Sequence, residues 1–427
     1  MYLVVSGGPY GLEEAIGAAG PVVALVLCLV LPFVLSLPVA LMAAELTALI
    51  PLEGGFYFWV KEAFGPFAGF VEAYLTILYT AVDMTIYPVL FAAYLSFLVP
   101  MASWARLVLE LAVIWVAGLL NLGGVRLAGR AALILAGLAV GPFLGLLLTA
   151  AWRANLLPRF FVSTSTLTSQ SRLAALAAAL TVITWNFCGW ENLSVAAGEL
   201  ENPRRNYLRA VLIVIPLVSL SYLLAIALSM AQPDAHLTWT LGSFVELGRQ
   251  VGGRLGGVAI ALGGAVSALA VFEASLLWSS RLPFVLAAEG YLPAPLAALW
   301  RFTQTPGRAI VLSCIAFSLL LPLGFLNLVA LDVMFYMAAL ALEMAALVRL
   351  RRLRPLRDGL FTIGGGKAAL YFTVGAPLVV WLVSLALELG GQSSRLNVMV
   401  AGALVAAAVP IYWFCKHRYG GPAKVEN

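Results

Sequence analysis

The sequence predicts an all-α polytopic membrane protein of about twelve transmembrane helices, two of them broken partway across the bilayer. Three observations predict this class. Hydrophobic residues make up 63% of the chain and charged residues 11%, at a mean hydropathy of +1.00; soluble domains run about 45–50% apolar and about 25% charged. Apolar runs of roughly 20 residues, the length a spanning helix needs, recur from end to end. Two of those runs are interrupted by glycine, asparagine and acids, at residues 5–14 and 185–192.

The first span covers about residues 1–19 and contains Val5-Ser6-Gly7-Gly8-Pro9-Tyr10-Gly11-Leu12-Glu13-Glu14. Glycine weakens a helix and proline removes a backbone donor, so the helix breaks here. Broken backbone at membrane depth is tolerated only where protein buries it or a wet cavity meets it. Gly7, Gly8 and Gly11 then leave backbone amides beside a helix start, a site suited to a carboxylate; a structural kink is the other reading. Glu13 and Glu14 are neighbours and point about 100° apart, so at most one faces a central pocket well. They either meet a substrate amine or stabilise the second half-helix through its dipole.

A second span follows over 21–50, then a Gly54-Gly55 turn and a short amphipathic helix over 57–64. The third span, about 66–98, carries Thr76, Tyr79, Thr80, Asp83 and Tyr87 on one helical face. That stripe faces protein or water, either to bind solute or to hydrogen-bond between helices. Spans four and five are placed at about 106–121 and 130–151, with a Ser- and Thr-rich surface loop over 152–172. The sixth, about 174–199, breaks at Trp185-Asn186-Phe187-Cys188-Gly189-Trp190-Glu191-Asn192. Glu191, flanked by Trp185 and Trp190, suits an ammonium through charge and cation–π contact; capping the second half-helix is its alternative.

Spans seven to twelve are placed at about 207–230, 255–282, 310–325, 326–348, 370–389 and 398–415. Span eight carries Ser275, Ser279 and Ser280, candidate ion ligands or simple packing residues, with Glu273 just before them. Span ten places Asp332, Tyr336 and Glu343 on one face. Glu45 and Glu343 lie toward the same membrane side as arginine-rich loops and are expected to pair with them. Two broken helices five spans apart point to inverted repeats holding a substrate between them, although residue-level self-similarity is not evident.

Charge sets the orientation. Seven of the 25 Lys and Arg residues (Arg106, Arg153, Arg159, Arg172, Arg249, Arg254 and Arg395) fall on one side, and eighteen on the side of both termini. The positive-inside rule places both termini in the cytoplasm. A cysteine introduced at Ser165 is therefore expected to react with an impermeant thiol reagent added from outside, and one at Arg354 to be spared; the reverse labelling would overturn the orientation. No basic region and cleavage site of a signal peptide is visible.

Several function classes fall away. Cys28, Cys188, Cys314 and Cys415 lie in or beside apolar runs without CxxC spacing, so neither disulfides nor zinc are expected. His236 and His417 lie outside the spans, which argues against intramembrane metal or Ser–His catalysis. A channel fits less well than a carrier, because paired helix breaks favour occluded binding. No catalytic residues, cofactor, metal or nucleic-acid partner are expected; the net charge of +5 reads as an orientation signal.

The run from Gly189-Trp190-Glu191-Asn192 through Gly198-Glu199 and Asn202-Pro203-Arg204 to Leu208-Arg209 resembles the sixth-span signature of the amino acid–polyamine–organocation superfamily. The first break with Gly17-Ala18-Ala19-Gly20-Pro21, the stretch from Asp83 to Tyr87-Pro88, and Trp185-Asn186 with Trp190-Glu191 are similar to its polyamine-uptake and L-type branch. The likeness runs over about spans one to ten. It implies the leucine-transporter fold: a transport core at 1–350 of two inverted repeats, about 1–151 and 174–348, followed by a cytoplasmic loop and two further spans at 351–427.

It also implies a secondary active permease at the plasma (inner) membrane, moving polyamines or cationic amino acids by alternating access, with H+ as the expected coupling ion. A neutral amino acid permease or exchanger is the alternative. The implied substrate-binding set is Gly7, Gly8, Tyr10, Gly11, Glu13, Glu14, Asp83, Tyr87, Trp185, Asn186, Trp190, Glu191 and Tyr336, with Ser275, Ser279 and Ser280 for an ion. Such permeases carry about ten more residues ahead of the break; at about 1.5 Å per residue the five before Ser6 do not reach the cytoplasmic face. The expectation is an upstream start or an incomplete inner gate.

Overall fold

The computed structural model describes residues 2–52, 54–123, 128–153, 169–192, 194–195, 203–230, 238–301, 303–354, 361–390 and 395–420, and it is helical throughout. Ser165, His236 and the 196–202 stretch of the sixth-span signature lie outside the described residues. Among the described residues, eight helices are long and apolar enough to cross a membrane, and the chain is a multi-pass membrane protein. Three shorter apolar helices, Gly137–Ala150, Arg172–Asn186 and Gly307–Leu323, accompany them.

The first run is two helices, α1 (Tyr2–Val5) and α2 (Leu12–Ala19), separated at Ser6–Gly11. Gly20 then turns the chain (φ 84°) into α3 (Pro21–Leu31), which passes through a π-helical turn at Pro32–Ser36 into α4 (Leu37–Leu49). Pro32 and Pro38 remove donors from the helical ladder, and the wider turn accommodates the loss. That turn presents Ser36 Oγ to the carbonyl of Phe187, 3.3 Å away in the second break.

The amphipathic helix α5 (Phe56–Phe64) and α6 (Pro66–Ser96) meet at Gly65. The helices α7 (Ser103–Leu122), α8 (Ala128–Arg153), α9 (Ser169–Asn186) and α10 (Pro203–Met230) follow. Next comes α11 (Phe244–Ser279), which reverses sharply at Gly253. Its spanning part therefore begins where the sequence places span eight. It leads to α12 (Arg281–Ala288), α13 (Gly307–Leu320), α14 (Phe325–Leu353), α15 (Gly366–Gly390) and α16 (Arg395–Tyr419).

The centre is built from α6, α11 and α14, while α2 packs against α9. The last two helices sit at the periphery with Tyr371, Phe372, Met399, Trp413 and Phe414 exposed, as expected of faces whose solvent is hydrocarbon. At the end of α14 that carries Arg351, three ion pairs tie the elements: Glu45 with Arg351, Lys61 with Glu289 and Glu62 with Arg354. Glu45 thus meets a loop-proximal arginine as expected. Glu343 does not: its side chain is 3% exposed among α6, α14 and the second break.

Candidate functional site

The two breaks face each other, and one side chain joins them. The Tyr222 hydroxyl, on α10, donates to the Asn186 carbonyl at 2.7 Å and lies 2.8 Å from Ser6 Oγ. Ser6 Oγ also accepts from the Gly8 amide at 3.0 Å, and the Ser267 hydroxyl of α11 donates to the Gly7 carbonyl. The hydroxyl of span eight that reaches the first break is therefore Ser267. Ser279 instead lines a separate apolar cavity with Phe70, Phe317 and Cys415, while Ser275 and Ser280 are buried.

The amides of the first break are largely committed. The Gly11 amide donates to Glu13 Oε2 at 2.8 Å and the Gly8 amide to Ser6. Glu13, fully buried, also accepts from the Tyr94 hydroxyl and from the Gly242 amide at 3.2 Å, and Glu14 accepts from the Leu241 amide at 2.8 Å. Both acids thus anchor the 241–242 turn and the start of α2, where helix amides attract negative charge. Neither lines the central cavity. Tyr10 is likewise engaged: its hydroxyl donates to the Ala139 carbonyl at 2.9 Å, and its ring packs edge-on against Tyr94 and Phe143. Gly11 is left-handed (φ 96°), and a Cβ there would lie 3.2 Å from the rings of Trp185 and Phe325.

The second break gathers the polar stripes of α6 and α14. A small cavity of about 20 Å³ is lined by Val5, Tyr79, Asp83, Tyr87, Trp185, Cys188, Gly189, Asn192, Asp332 and Tyr336. That is room for about one water. Asp83 accepts from the Trp185 indole at 2.9 Å and from the Tyr87 hydroxyl at 3.1 Å. Asp332 lies across from it, 2% exposed, with Oδ1 bonded to nothing. Tyr336 donates to Glu191 Oε2 at 2.9 Å and accepts from the Gly189 amide at 3.1 Å. Tyr79 donates to Asn192 Oδ1 at 2.5 Å and packs edge-on against Tyr336.

Of the expected substrate set, Asp83, Tyr87, Trp185 and Tyr336 line one cavity. Glu191 stands behind Tyr336, bonded to it. Asn186 turns back on its own helix, donating to the Val182 carbonyl at 2.9 Å, and the Trp190 indole donates to the Phe187 carbonyl at 2.9 Å. Gly7, Gly8 and Gly11 shape the first break without lining the cavity. Sequence reasoning does not single out Glu72, although it extends the Thr76–Tyr87 stripe by one turn and is fully buried. Continuing the i, i+4 pattern backward from Thr76 would have found it.

Gly189 is the hinge of this arrangement. Its φ of 84° is left-handed, and a Cβ would come within 2.8 Å of Asn192 Nδ2. Gly189→Ala is expected to cost about 1–2 kcal/mol in backbone strain and to push Asn192 off Tyr79. Thermal unfolding of the purified protein checks the first effect and a parallel fall in uptake checks the second.

A profile of the amino acid permease family matches residues 1–413, which extends the likeness past span ten into the last helices. The chain is 31% identical over 378 residues to polyamine transporter RMV1 of Arabidopsis thaliana, covering 86% of this chain and 74% of that one. It is 32% identical over 372 residues to polyamine transporter PUT1 of Oryza sativa, covering 85% and 68%. An uncharacterized transporter of Legionella pneumophila, lpg1691, is 28% identical over 377 residues, covering 82% and 79%. This chain is therefore a transporter rather than an enzyme, and it belongs to the amino acid permease family of the amino acid–polyamine–organocation superfamily.

Proposed function

We propose that the chain is a proton-coupled secondary transporter of polyamines, working by alternating access between the two helix breaks. The observation that carries this reading is Asp332. A buried carboxylate oxygen without a hydrogen-bond partner is costly, and here it faces a cavity that already holds Asp83. Aromatic rings of Tyr79, Tyr87, Trp185 and Tyr336 complete the wall. Such a wall attracts a cation by charge and by ring quadrupole.

The substrate class follows from which backbone donors remain. A bound amino acid needs donors for its carboxylate, but the amides of Gly8, Gly11 and Gly189 are engaged by Ser6, Glu13 and Tyr336. The cavity offers acceptors, so an amine without a carboxylate suits it best. Cationic amino acids come next and neutral ones last. Relatives at about 30% identity are named polyamine transporters, which supports the same order. A cavity of about 20 Å³ admits no diamine, so binding requires the helices to part, as in alternating access.

The supporting frame is a transport core at 1–350 of two inverted repeats, within twelve spans, with both termini cytoplasmic and the plasma (inner) membrane as site. The test is competition in proteoliposomes: unlabelled putrescine should displace labelled putrescine best, arginine less and alanine least. Alanine displacing best would overturn the reading in favour of a neutral amino acid permease.

A further inference from the structure

About two helical turns beyond the cavity's Tyr79 and Tyr336, α6 and α14 bring a second pair of acids together. Glu72 lies eleven residues before Asp83, and Glu343 eleven residues after Asp332, about 16 Å at 1.5 Å per residue. Tyr79 of α6 and Tyr336 of α14 pack with ring centroids 5.5 Å apart, Asp83 and Asp332 meet on one side of them, and seven residues along each helix on the other side this register sets Glu72 opposite Glu343. Glu72 is 0% exposed and Glu343 3%. The Thr76 hydroxyl donates to Glu72 Oε1 at 3.1 Å, while Oε2 of each glutamate has no donor at all. No ion pair to either carboxyl occurs among the described residues. Nor, among them, is there a cluster of three or more acid, His or Cys side chains that could hold a metal ion.

Two carboxylates both accept hydrogen bonds and neither donates. Facing each other in a buried site, they repel unless one carries a proton, and that proton makes the bond between them. We infer that Glu72 and Glu343 together hold one shared proton, and that this is the proton which moves with substrate. This rests on the transport reading above. The step is a proton transfer only: a solvent proton is taken by the carboxylate pair and later returned to solvent, with no other bond made or broken. Glu191 connects toward the cavity, since it accepts from cavity-lining Tyr336, which lies on the same helix as Glu343.

Other titratable groups stand on the elements around the pair, beyond Asp83 and Asp332 on its own helices. Glu191, Tyr79, Tyr207 and Tyr336 face it from the second break, α6, α10 and α14. On α5, Lys61 and Glu62 are held by Glu289 and Arg354. On α4, Glu45 is held by Arg351. On α11, Glu273 is bonded by Asn121, and on α15, Glu388 by Thr181. On α16, Lys416 lies over the Tyr412 and Trp413 rings and His417 packs on Trp413.

The test uses full-length protein in proteoliposomes with the membrane potential clamped, labelled putrescine as probe, and Glu72→Gln, Glu343→Gln and Glu72→Asp as variants. With one proton per substrate, a gradient of about one pH unit sustains roughly tenfold accumulation. Both glutamine variants should lose that accumulation yet keep putrescine counterflow, which also reports on folding; Glu72→Asp should retain part of it. Infrared spectra of the purified wild type should show more protonated-carboxyl carbonyl intensity than those of the double glutamine variant. Gradient-driven accumulation by Glu72→Gln equal to wild type would overturn the inference, as would wild-type uptake indifferent to pH gradient. Equal intensity in wild type and double variant would overturn it too. Absence of any putrescine uptake by the wild type would instead sink the transport reading, and the infrared comparison would still decide whether the pair holds a proton.

Discussion

Asp332→Asn is expected to weaken putrescine binding roughly ten- to hundredfold while leaving the protein folded. The wild-type side chain is 2% exposed with one oxygen unpartnered, so an arriving ammonium meets a carboxyl oxygen that no protein donor already holds. Losing a charge-assisted hydrogen bond costs about 1.5–3 kcal/mol, which is the stated range in affinity. Asparagine keeps the shape and removes a buried ionisable group, so folding stability should hold or rise. Asp83→Asn should lose less, because the Trp185 indole and Tyr87 hydroxyl already satisfy its oxygens. Glu191→Gln should lose least of the three, acting only through Tyr336. Alanine competition should change little in any of them. Binding measured by putrescine-dependent thermal shift, across the three variants, checks the order. An unchanged Asp332→Asn with a crippled Glu191→Gln would move the amine from the cavity to the second break.

The parts of this site that could be read in advance are those set by helical spacing. Asp83 and Tyr87 share a face four residues apart, and so do Asp332 and Tyr336; period 3.6 alone aligns them. The breaks were legible too, since Gly7, Gly8, Pro9 and Gly189 declare them chemically. What spacing could not show is which partner each group finds across the fold. Glu13 and Glu14 look like free acids beside a break, yet amides of residues 241 and 242, more than two hundred residues away, engage them. The glycine amides look available, yet Ser6 and Glu13 occupy two of them. Glu343 looks like a partner for loop arginines because it sits on an arginine-bearing helix, but its face of α14 turns toward α6 and Glu72. Ser275, Ser279 and Ser280 stand out by composition, whereas Ser267 is the residue whose register meets Gly7.

Glu45 shows the same point from the side of stability, and its partner gives the largest expected folding defect. Arg351 donates to both oxygens of Glu45 through Nε and Nη2, and the Ile363 amide adds a third bond at 2.7 Å. The site joins α4, α14 and the segment before α15. Glu45 is only 4% exposed, so Arg351→Ala strands a buried carboxylate with one backbone donor left. Breaking a buried pair from one side typically costs about 3–5 kcal/mol. Removing both charges avoids that penalty, so Glu45→Gln combined with Arg351→Met should recover most of the loss. The Glu62–Arg354 pair is the control: both side chains are 44% exposed, and exposed pairs contribute about 0–1 kcal/mol. Arg354→Ala should therefore unfold close to the wild-type temperature, the double variant slightly below it, and Arg351→Ala well below both. Thermal unfolding of the three purified proteins in one detergent measures this. Equal midpoints for Arg351→Ala and Arg354→Ala would mean that water reaches Glu45 and that burial does not set its cost.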